Sequence, residues 1–284
     1  MKEEQRMTIR KIAKILPVFL FLSLIFVQYL PAKGHWEFGF HYSQWSIDIL
    51  RPMIEEGISD SLETELKEKI LEDIQEDYPE LREEIYNQSV RFDSGGNNYG
   101  FEIRWYPAGQ QGSFSLGLSL EKTTMRVSLP EVSADLSVKN SITQEISDFE
   151  GNASGEFLLK PLSFHLSFRW DIIPSSKIRP YITFGLGAAT GTALDNGELS
   201  YSYTGDLNVE GEEPEHYEST EKKTIKQLKD ELEEEGEEFF VPGFLPFIQF
   251  SFGIKGAISD NVYVLVDAGI WDGFLIRGGI AFRL

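Results

Sequence analysis

The sequence contains no cysteine. This absence excludes disulfide bonds, thiolate metal sites and a cysteine nucleophile, and it also excludes the acylated cysteine of a lipoprotein anchor. Positive charge is scarce as well, because 26 Lys and Arg residues stand against 46 Asp and Glu residues, for a formal net charge of −20. A nucleic-acid partner is therefore not expected, since nucleic-acid binding depends on a basic surface.

Long apolar runs are missing after the N-terminus. There, a basic leader with Arg6, Arg10, Lys11 and Lys14 precedes the mainly apolar stretch 16–30, and Ala32-Lys33-Gly34 follows. This order is typical of a secretory signal peptide, which we predict for residues 1–34. An uncleaved membrane anchor is the alternative, but the apolar stretch is shorter than the roughly 20 residues that a spanning helix needs.

Negative charge is concentrated in two segments. Residues 51–90 hold 13 acids and 4 bases, and residues 192–238 hold 16 acids and 4 bases. The rest of the predicted mature chain is nearly neutral. The sequence thus predicts one neutral scaffold over 35–284 with acidic insertions at about 50–90 and 194–240.

Outside the insertions, apolar residues alternate with polar ones, as in residues 162–172 and 114–121. This period of two is the period of a β-strand. Eight such runs are present. The connections between them mostly alternate between long and short, which is typical of an outer-membrane barrel. We predict an all-β fold, an up-and-down antiparallel transmembrane β-barrel of about eight strands. The predicted strands are 35–48, 97–107, 112–127, 155–173, 179–193, 243–259, 261–271 and 273–284.

Alternation alone does not say which face points inward, and a soluble lipocalin-like barrel would place the apolar set inside. The apolar set is too bulky for the interior of eight strands, whereas the other set is rich in Gly, Ser and charges of both signs. We therefore expect the apolar set to face lipid. Trp36, Trp105 and Trp170 share the outward parity and lie at the end of the short turns, so they predict an aromatic girdle rather than a tryptophan core.

The inward set predicts an ionic network in the lumen, because buried charges must be paired. A tight turn near Asp272 would place Asp267 opposite Arg277. We expect the network to block the lumen, with an open pore as the alternative. Its members are Glu102, Arg104, Glu121, His165, Arg169, Asp171, Lys255, Asp267, Arg277 and Arg283, with Glu37 and His41 beside them.

Two segments resemble a known family. The run Arg179-Pro180-Tyr181 through Ala188, with its spaced glycines, resembles a strand of the OmpW/OmpA-like outer-membrane barrels, and Gly278 to Leu284 resembles the terminal strand that the barrel-assembly machinery recognises. That strand usually ends on an aromatic residue, and here it ends on Leu284. The resemblance implies a location in the outer membrane of a Gram-negative-type bacterium, with membrane lipid and the assembly machinery as partners. Some relatives are proposed to be narrow channels for small or hydrophobic solutes.

The acidic insertions carry helical patterns. Leu62, Leu66, Ile70 and Ile74 predict a helix from about residue 60 that is capped at 59–61, and a second helix is predicted to begin after Pro79 and to run to about 88. Another helix is predicted at 220–235, and residues 196–218 are predicted to be poorly ordered. The insertions could form a solvated cap on extracellular loops, or a surface that binds divalent cations or a basic partner. No EF-hand calcium loop is present.

Catalytic patterns are weak. None of the four histidines has a metal-site spacing. Ser163 and His165 suggest a lipid A-modifying enzyme, but both face the lumen, and the strand rise places them about 7 Å apart, too far for a direct hydrogen bond. We therefore predict no enzyme, no cofactor and no metal. The expected function is a structural, surface-interaction or small-solute role in the outer membrane, with a narrow channel as the alternative.

Overall fold

The computed structural model describes residues 34–67, 81–109, 112–140, 142–143, 146–208, 213–234, 244–271 and 273–284. The predicted signal peptide lies outside the described residues, except for Gly34. This part of the chain forms eleven strands. They are β1 (His35–Ser46), β2 (Leu81–Tyr106), β3 (Phe114–Asn140), β4 (Ile146–Leu159), β5 (Leu162–Asp171), β6 (Ile178–Thr190), β7 (Glu198–Asn208), β8 (Glu215–Thr224), β9 (Phe244–Ala257), β10 (Val262–Trp271) and β11 (Phe274–Arg283).

Three short helices accompany the strands. They are α1 (Arg51–Ser61), which continues as a π-helical segment over Leu62–Lys67, then α2 (Gly191–Asp195) and α3 (Ile225–Glu234). No helix in the described ranges is both long and apolar enough to cross a membrane.

Eight strands close a ring. The order around it is β1, β2, β3, β5, β6, β9, β10 and β11, and every neighbouring pair is antiparallel. The ring closes where the first strand pairs with the last, with Glu37 opposite Arg283 and Ser46 opposite Phe274. The predicted fold class, an eight-stranded antiparallel barrel, is confirmed.

The other three strands form a second sheet above one end of the barrel. The hairpin of β2 and β3 continues past the barrel as far as Leu81 opposite Asn140, and β4, β7 and β8 pair in sequence beside it. We call this five-stranded sheet the extension, its end of the barrel the extension end, and the opposite end the turn end. The alternation Val132, Ala134, Leu136 and Val138 explains why β3 continues. Of residues 128–154, which could have been a free loop, 128–140 and 146–154 are strand.

The predicted strand 155–173 is two strands. Lys160 and Pro161 separate β4 from β5. Proline has no N–H to donate to a sheet, so it interrupts the ladder. The chain therefore leaves the extension at Leu159 and enters the barrel wall at Leu162.

The helical insertions are not confirmed as predicted. The first helix begins at Arg51, with Pro52 in its first turn, and not near residue 60. Residues 81–88 are strand, because pairing with β3 outweighs a local helical pattern, and the stripe at Ile70 and Ile74 lies outside the described residues. Of residues 196–218, predicted to be poorly ordered, most belong to β7 and β8. Helix α3 covers 225–234, and residues 220–224, predicted as helix, are strand.

Candidate functional site

The outer face of the barrel is apolar. Its large side chains are freely accessible, with Leu118 63% exposed, Phe164 62% and Ile276 67%. An apolar belt of this extent on an isolated chain is expected only where lipid or protein covers it. Within the belt, the charged side chains of the same strands point the other way, as the period-two argument predicts, and Lys122 on β3 lies outward only at the edge of the belt.

The three predicted girdle tryptophans lie at the turn end of the barrel. Trp36 is opposite Trp105, with ring centroids 6.3 Å apart, and Trp170 lies 5.5 Å from the ring of Phe114. A second aromatic pair, Tyr42 and Tyr99, stands further along the same two strands, with centroids 5.0 Å apart. Aromatic residues at two levels are typical of the two membrane–water interfaces.

The lumen contains the predicted charged residues. Twelve positions were expected to face inward, and the structure places all of them inside the ring, most below a tenth exposed. The least shielded is Glu102, whose side chain is 13% exposed. These residues form groups along the axis, and Tyr181 links two of them, because its ring lies 4.4 Å from the Arg169 guanidinium and its hydroxyl donates to Asp267.

The group nearest the turn end centres on Lys255. Its Nζ donates to both carboxylate oxygens of Glu37, at 2.7 and 2.6 Å, and to the Tyr106 hydroxyl at 3.0 Å. Arg283 approaches the same carboxylate at 3.6 Å. The Tyr263 ring lies against both cations, 4.4 Å from Lys255 Nζ and 4.5 Å from the Arg283 guanidinium. Aromatic faces thus supplement carboxylates as counter-charges.

The next group joins Glu102 to two arginines. Arg104 donates to both Glu102 oxygens, at 2.5 and 3.1 Å, and Arg169 approaches at 3.5 Å. The bidentate geometry fixes the orientation of the guanidinium plane. Arg104 also donates to the hydroxyls of Ser115 and Ser167, so three neighbouring strands are tied together.

Asp267 and Arg277 form the pair that the tight turn between β10 and β11 predicts. They are opposite in register, and Arg277 Nε lies 3.0 Å from Asp267 Oδ1. The Tyr181 hydroxyl donates to the same carboxylate at 2.5 Å. Tyr181 was absent from the predicted set, although its inward parity between Arg179 and Thr183 was visible in the sequence.

Glu121 and His165 lie closer to the extension end. Asn98 and Ser119 each donate to Glu121 at 2.8 Å, and His41 Nε2 is 3.4 Å from it. Asp171, by contrast, is buried without any described group donating to either carboxylate oxygen. Buried charge without hydrogen bonds is costly, so Asp171 departs from the expectation that every lumen charge is paired.

One geometric prediction was wrong. Ser163 Oγ and His165 Nε2 are hydrogen-bonded at 2.7 Å, although spacing along the strand placed them about 7 Å apart. The backbone spacing does not limit the contact, because both side chains lean along the strand into the lumen. Ser163 is completely buried, and the Phe247 ring stacks on His165 at 5.8 Å.

An apolar layer covers the ionic groups at the extension end. Its buried members are Trp45, Met125, Leu159, Ala189 and Phe247. Sequence reasoning missed this layer, because these residues share the inward parity and that face was interpreted as polar. A cavity of about 20 Å³ remains among His41, Glu102, Arg169, Asp267 and Arg277. That volume holds about one water molecule.

The extension has a polar outer face. Asp206 and His216 are opposite each other on β7 and β8, and His216 Nδ1 lies 2.7 Å from Asp206 Oδ1. The hydrogen bond to Asp206 raises the pKa of His216 above its usual value, and Glu218 adds to the effect. No group of three or more acidic or histidine side chains among the described residues is arranged to hold a metal ion.

Comparison with known proteins gives only distant likenesses. No protein-family model and no curated protein matches this chain. Among solved structures, it is similar to the Ail attachment invasion locus protein of Yersinia pestis, solved with a heparin analogue, at 8% identity and a TM-score of 0.30, covering 89% of this chain and 99% of that one. It is also similar to the translocator domain of the autotransporter NalP from Neisseria meningitidis, at 8% identity and a TM-score of 0.23, covering 96% of each chain.

The closed ring, the apolar belt and the ionic interior define the class of this protein. It is an outer-membrane-type β-barrel, because a closed cylinder with charges inside and a belt of bulky apolar groups outside is the arrangement that a lipid environment requires.

Proposed function

We propose that this protein is a non-conducting barrel that anchors the extension at the surface of a Gram-negative-type outer membrane, where the extension serves surface interaction. The observation that supports the proposal is the set of side chains that fill the lumen. Paired charges occupy the interior at several levels, where Lys255 on β9 reaches Glu37 on β1, and the apolar layer around Trp45 and Phe247 covers them at the extension end. The cavity among His41, Glu102, Arg169, Asp267 and Arg277 has room for about one water, which is too small for a solute.

The extension supplies the interacting surface. On the face that continues from the lumen, the Phe149 ring lies against Gly151 and Gly205, and Tyr203 and Tyr217 beside it are about half exposed. The Tyr217 hydroxyl donates to Glu215, and the Tyr201 hydroxyl to Glu221 at 2.7 Å. Exposed tyrosines beside carboxylates suit the cationic side chains of a basic protein partner.

A basic partner fits this surface better than a dedicated divalent-cation site. A calcium or magnesium site needs several oxygen ligands converging on one point. The described carboxylates of the extension instead pair with lysines, as Glu198 does with Lys222 at 2.7 Å, or spread along the strands.

Several finer assignments belong to the same proposal. Export by the signal peptide 1–34, membership of the OmpW/OmpA-like barrels and insertion by the assembly machinery are supported by the leader sequence and by the segments 179–188 and 278–284. A non-enzymatic role is supported by the complete burial of Ser163, which no lipid substrate reaches.

Conductance tests the blocked lumen. We expect the wild-type protein in planar bilayers to give no single-channel steps. The triple substitution Glu102→Ala, Arg104→Ala and Arg169→Ala removes the charged group around Glu102 from the lumen and should give steps, whereas the lipid-facing control Leu118→Ala should remain silent. Folding of each variant is checked by its heat-dependent migration on gels. Reproducible steps from the wild type would overturn the proposal and indicate a narrow channel.

A further inference from the structure

Lys122 and Lys160 lie together where the barrel wall divides. Strand β3 pairs with β5 as far as Lys122, opposite Leu162, and with β4 from Met125, opposite Leu159. Lys160 stands in the interruption between β4 and β5. The fold therefore brings two cationic side chains to the same point on the outer surface, at the lower edge of the extension.

The two lysines are in direct contact. Lys122 Nζ donates to the backbone oxygen of Lys160 at 2.9 Å, and both residues are exposed. Neither amine forms an ion pair with a carboxylate in the described part of the chain. The nearby acids Glu156 and Glu198 are instead paired with Arg126, at 3.7 Å, and with Lys222. Lys160 is close enough to Glu198 to attract it electrostatically, but Lys222 holds that carboxylate directly.

The level of these lysines is fixed by their neighbours. Directly toward the turn end, Leu120, Leu162 and Phe164 point outward and begin the apolar belt. Tyr99, 59% exposed, is opposite Lys122 in the β2–β3 register, and Tyr42 is opposite Tyr99. Tyrosines at the edge of an apolar belt mark the interface between acyl chains and headgroups, so both amines lie at headgroup level.

We propose that Lys122 and Lys160 form a binding site for a phosphate group of an outer-leaflet lipid headgroup. Lysine is a compact point charge on a flexible stem, which suits a phosphate that presents several oxygens. The stems can lie along the apolar edge while the amines reach the headgroup. The site deepens the proposed function and rests on its orientation, with the extension outside the cell.

The test uses the whole protein in nanodiscs of phosphatidylcholine containing a small fraction of lipid A. Native mass spectrometry of the released protein measures retained lipid A. We expect wild-type protein to retain it, and the double variant Lys122→Gln/Lys160→Gln to bind it roughly thirtyfold more weakly, the effect expected of two lysines near an anionic membrane surface. Dephosphorylated lipid A should be retained equally weakly by both proteins.

Lys177→Gln is the matched control, because Lys177 is an exposed lysine in the short turn at the opposite end of the barrel. It should retain lipid A like the wild type. Equal retention of lipid A by the wild type and the double variant would overturn the site. So would wild-type protein that retains dephosphorylated lipid A as strongly as lipid A. Loss of lipid A in Lys177→Gln alone would overturn both the site and the orientation. Conductance in the same membranes separates the two proposals, because a silent barrel without lipid retention contradicts only the site.

Discussion

Arg277 lies opposite Asp267 inside the barrel, with its Nε 3.0 Å from the Asp267 carboxylate, and the Tyr181 hydroxyl donates to that carboxylate from another strand. Both charges are nearly completely buried. Each depends on the other, because a buried charge without its partner has lost its hydration without compensation.

Removing one partner of this pair should therefore destabilise the barrel more than removing both. We expect Arg277→Met to lower the free energy of unfolding by about 3–5 kcal/mol, the usual cost of breaking a buried pair. Urea titration in lipid vesicles, followed by heat-dependent gel migration, measures the change. The double variant Asp267→Asn/Arg277→Met should recover most of it. A double variant less stable than the single one would show that the pair is not the source of the loss.

A charged residue in the apolar belt should make folding into a membrane less favourable, whereas one in the extension should not. Val266 points outward in the middle of β10 and is 55% exposed. We expect Val266→Arg to reduce folding into vesicles by about 2–4 kcal/mol, as for arginine on the lipid face of a barrel near the bilayer midplane. Thr204→Arg is the control, because Thr204 is exposed on β7 in the extension, outside the belt. Equal effects of the two substitutions would contradict the assigned membrane level.

Glycine is required beneath His165. A Cβ on Gly187 would lie 2.1 Å from His165 Nδ1, whereas a Cβ on Gly278 would meet nothing within 4 Å. Gly187→Ala must displace the imidazole and its hydrogen bond to Ser163, so we expect a loss of roughly 1–3 kcal/mol, as in other overpacked interiors. Gly278→Ala, on the lipid face of β11, should leave the unfolding midpoint unchanged. The tested quantity is the difference between the two midpoints.

The β7–β8 hairpin should be more stable in acid than in base. Asp206 raises the pKa of His216 in the folded state, and Glu218 faces the same ring. The contribution of the charged pair is therefore complete below the ordinary His pKa of 6.5 and is lost as the pH rises through the raised value. Protection factors of β8 amides from hydrogen exchange should fall over that range.

The control for this titration is His216→Gln, which cannot gain a proton and should give flat protection factors. A wild-type profile that rises with pH would contradict the assigned partner, because it would mean that the neutral imidazole is the favoured form in the folded hairpin.

The orientation of the barrel surfaces was predictable from the sequence because it depends on a local period. Phe164 and Arg169 differ in parity, and the structure places the first outside and the second inside. The extension has the same period of two in Leu199, Tyr201 and Tyr203 of β7. The polar residues between them made this segment resemble a disordered one. The helix predicted over 81–88 was wrong, because the pairing of β2 with β3 outweighs the local helical propensity.

By itself, the sequence determined the strand alternation, the inward set of charges and the outward apolar belt, because a strand repeats every two residues whatever its partner. Only the tertiary structure decided which strands become neighbours, that β4 and β5 pair one after the other with the same edge of β3, and that an apolar layer covers the ionic groups. Those outcomes join residues far apart in the chain, such as Glu37 and Lys255, and no local period encodes such a contact.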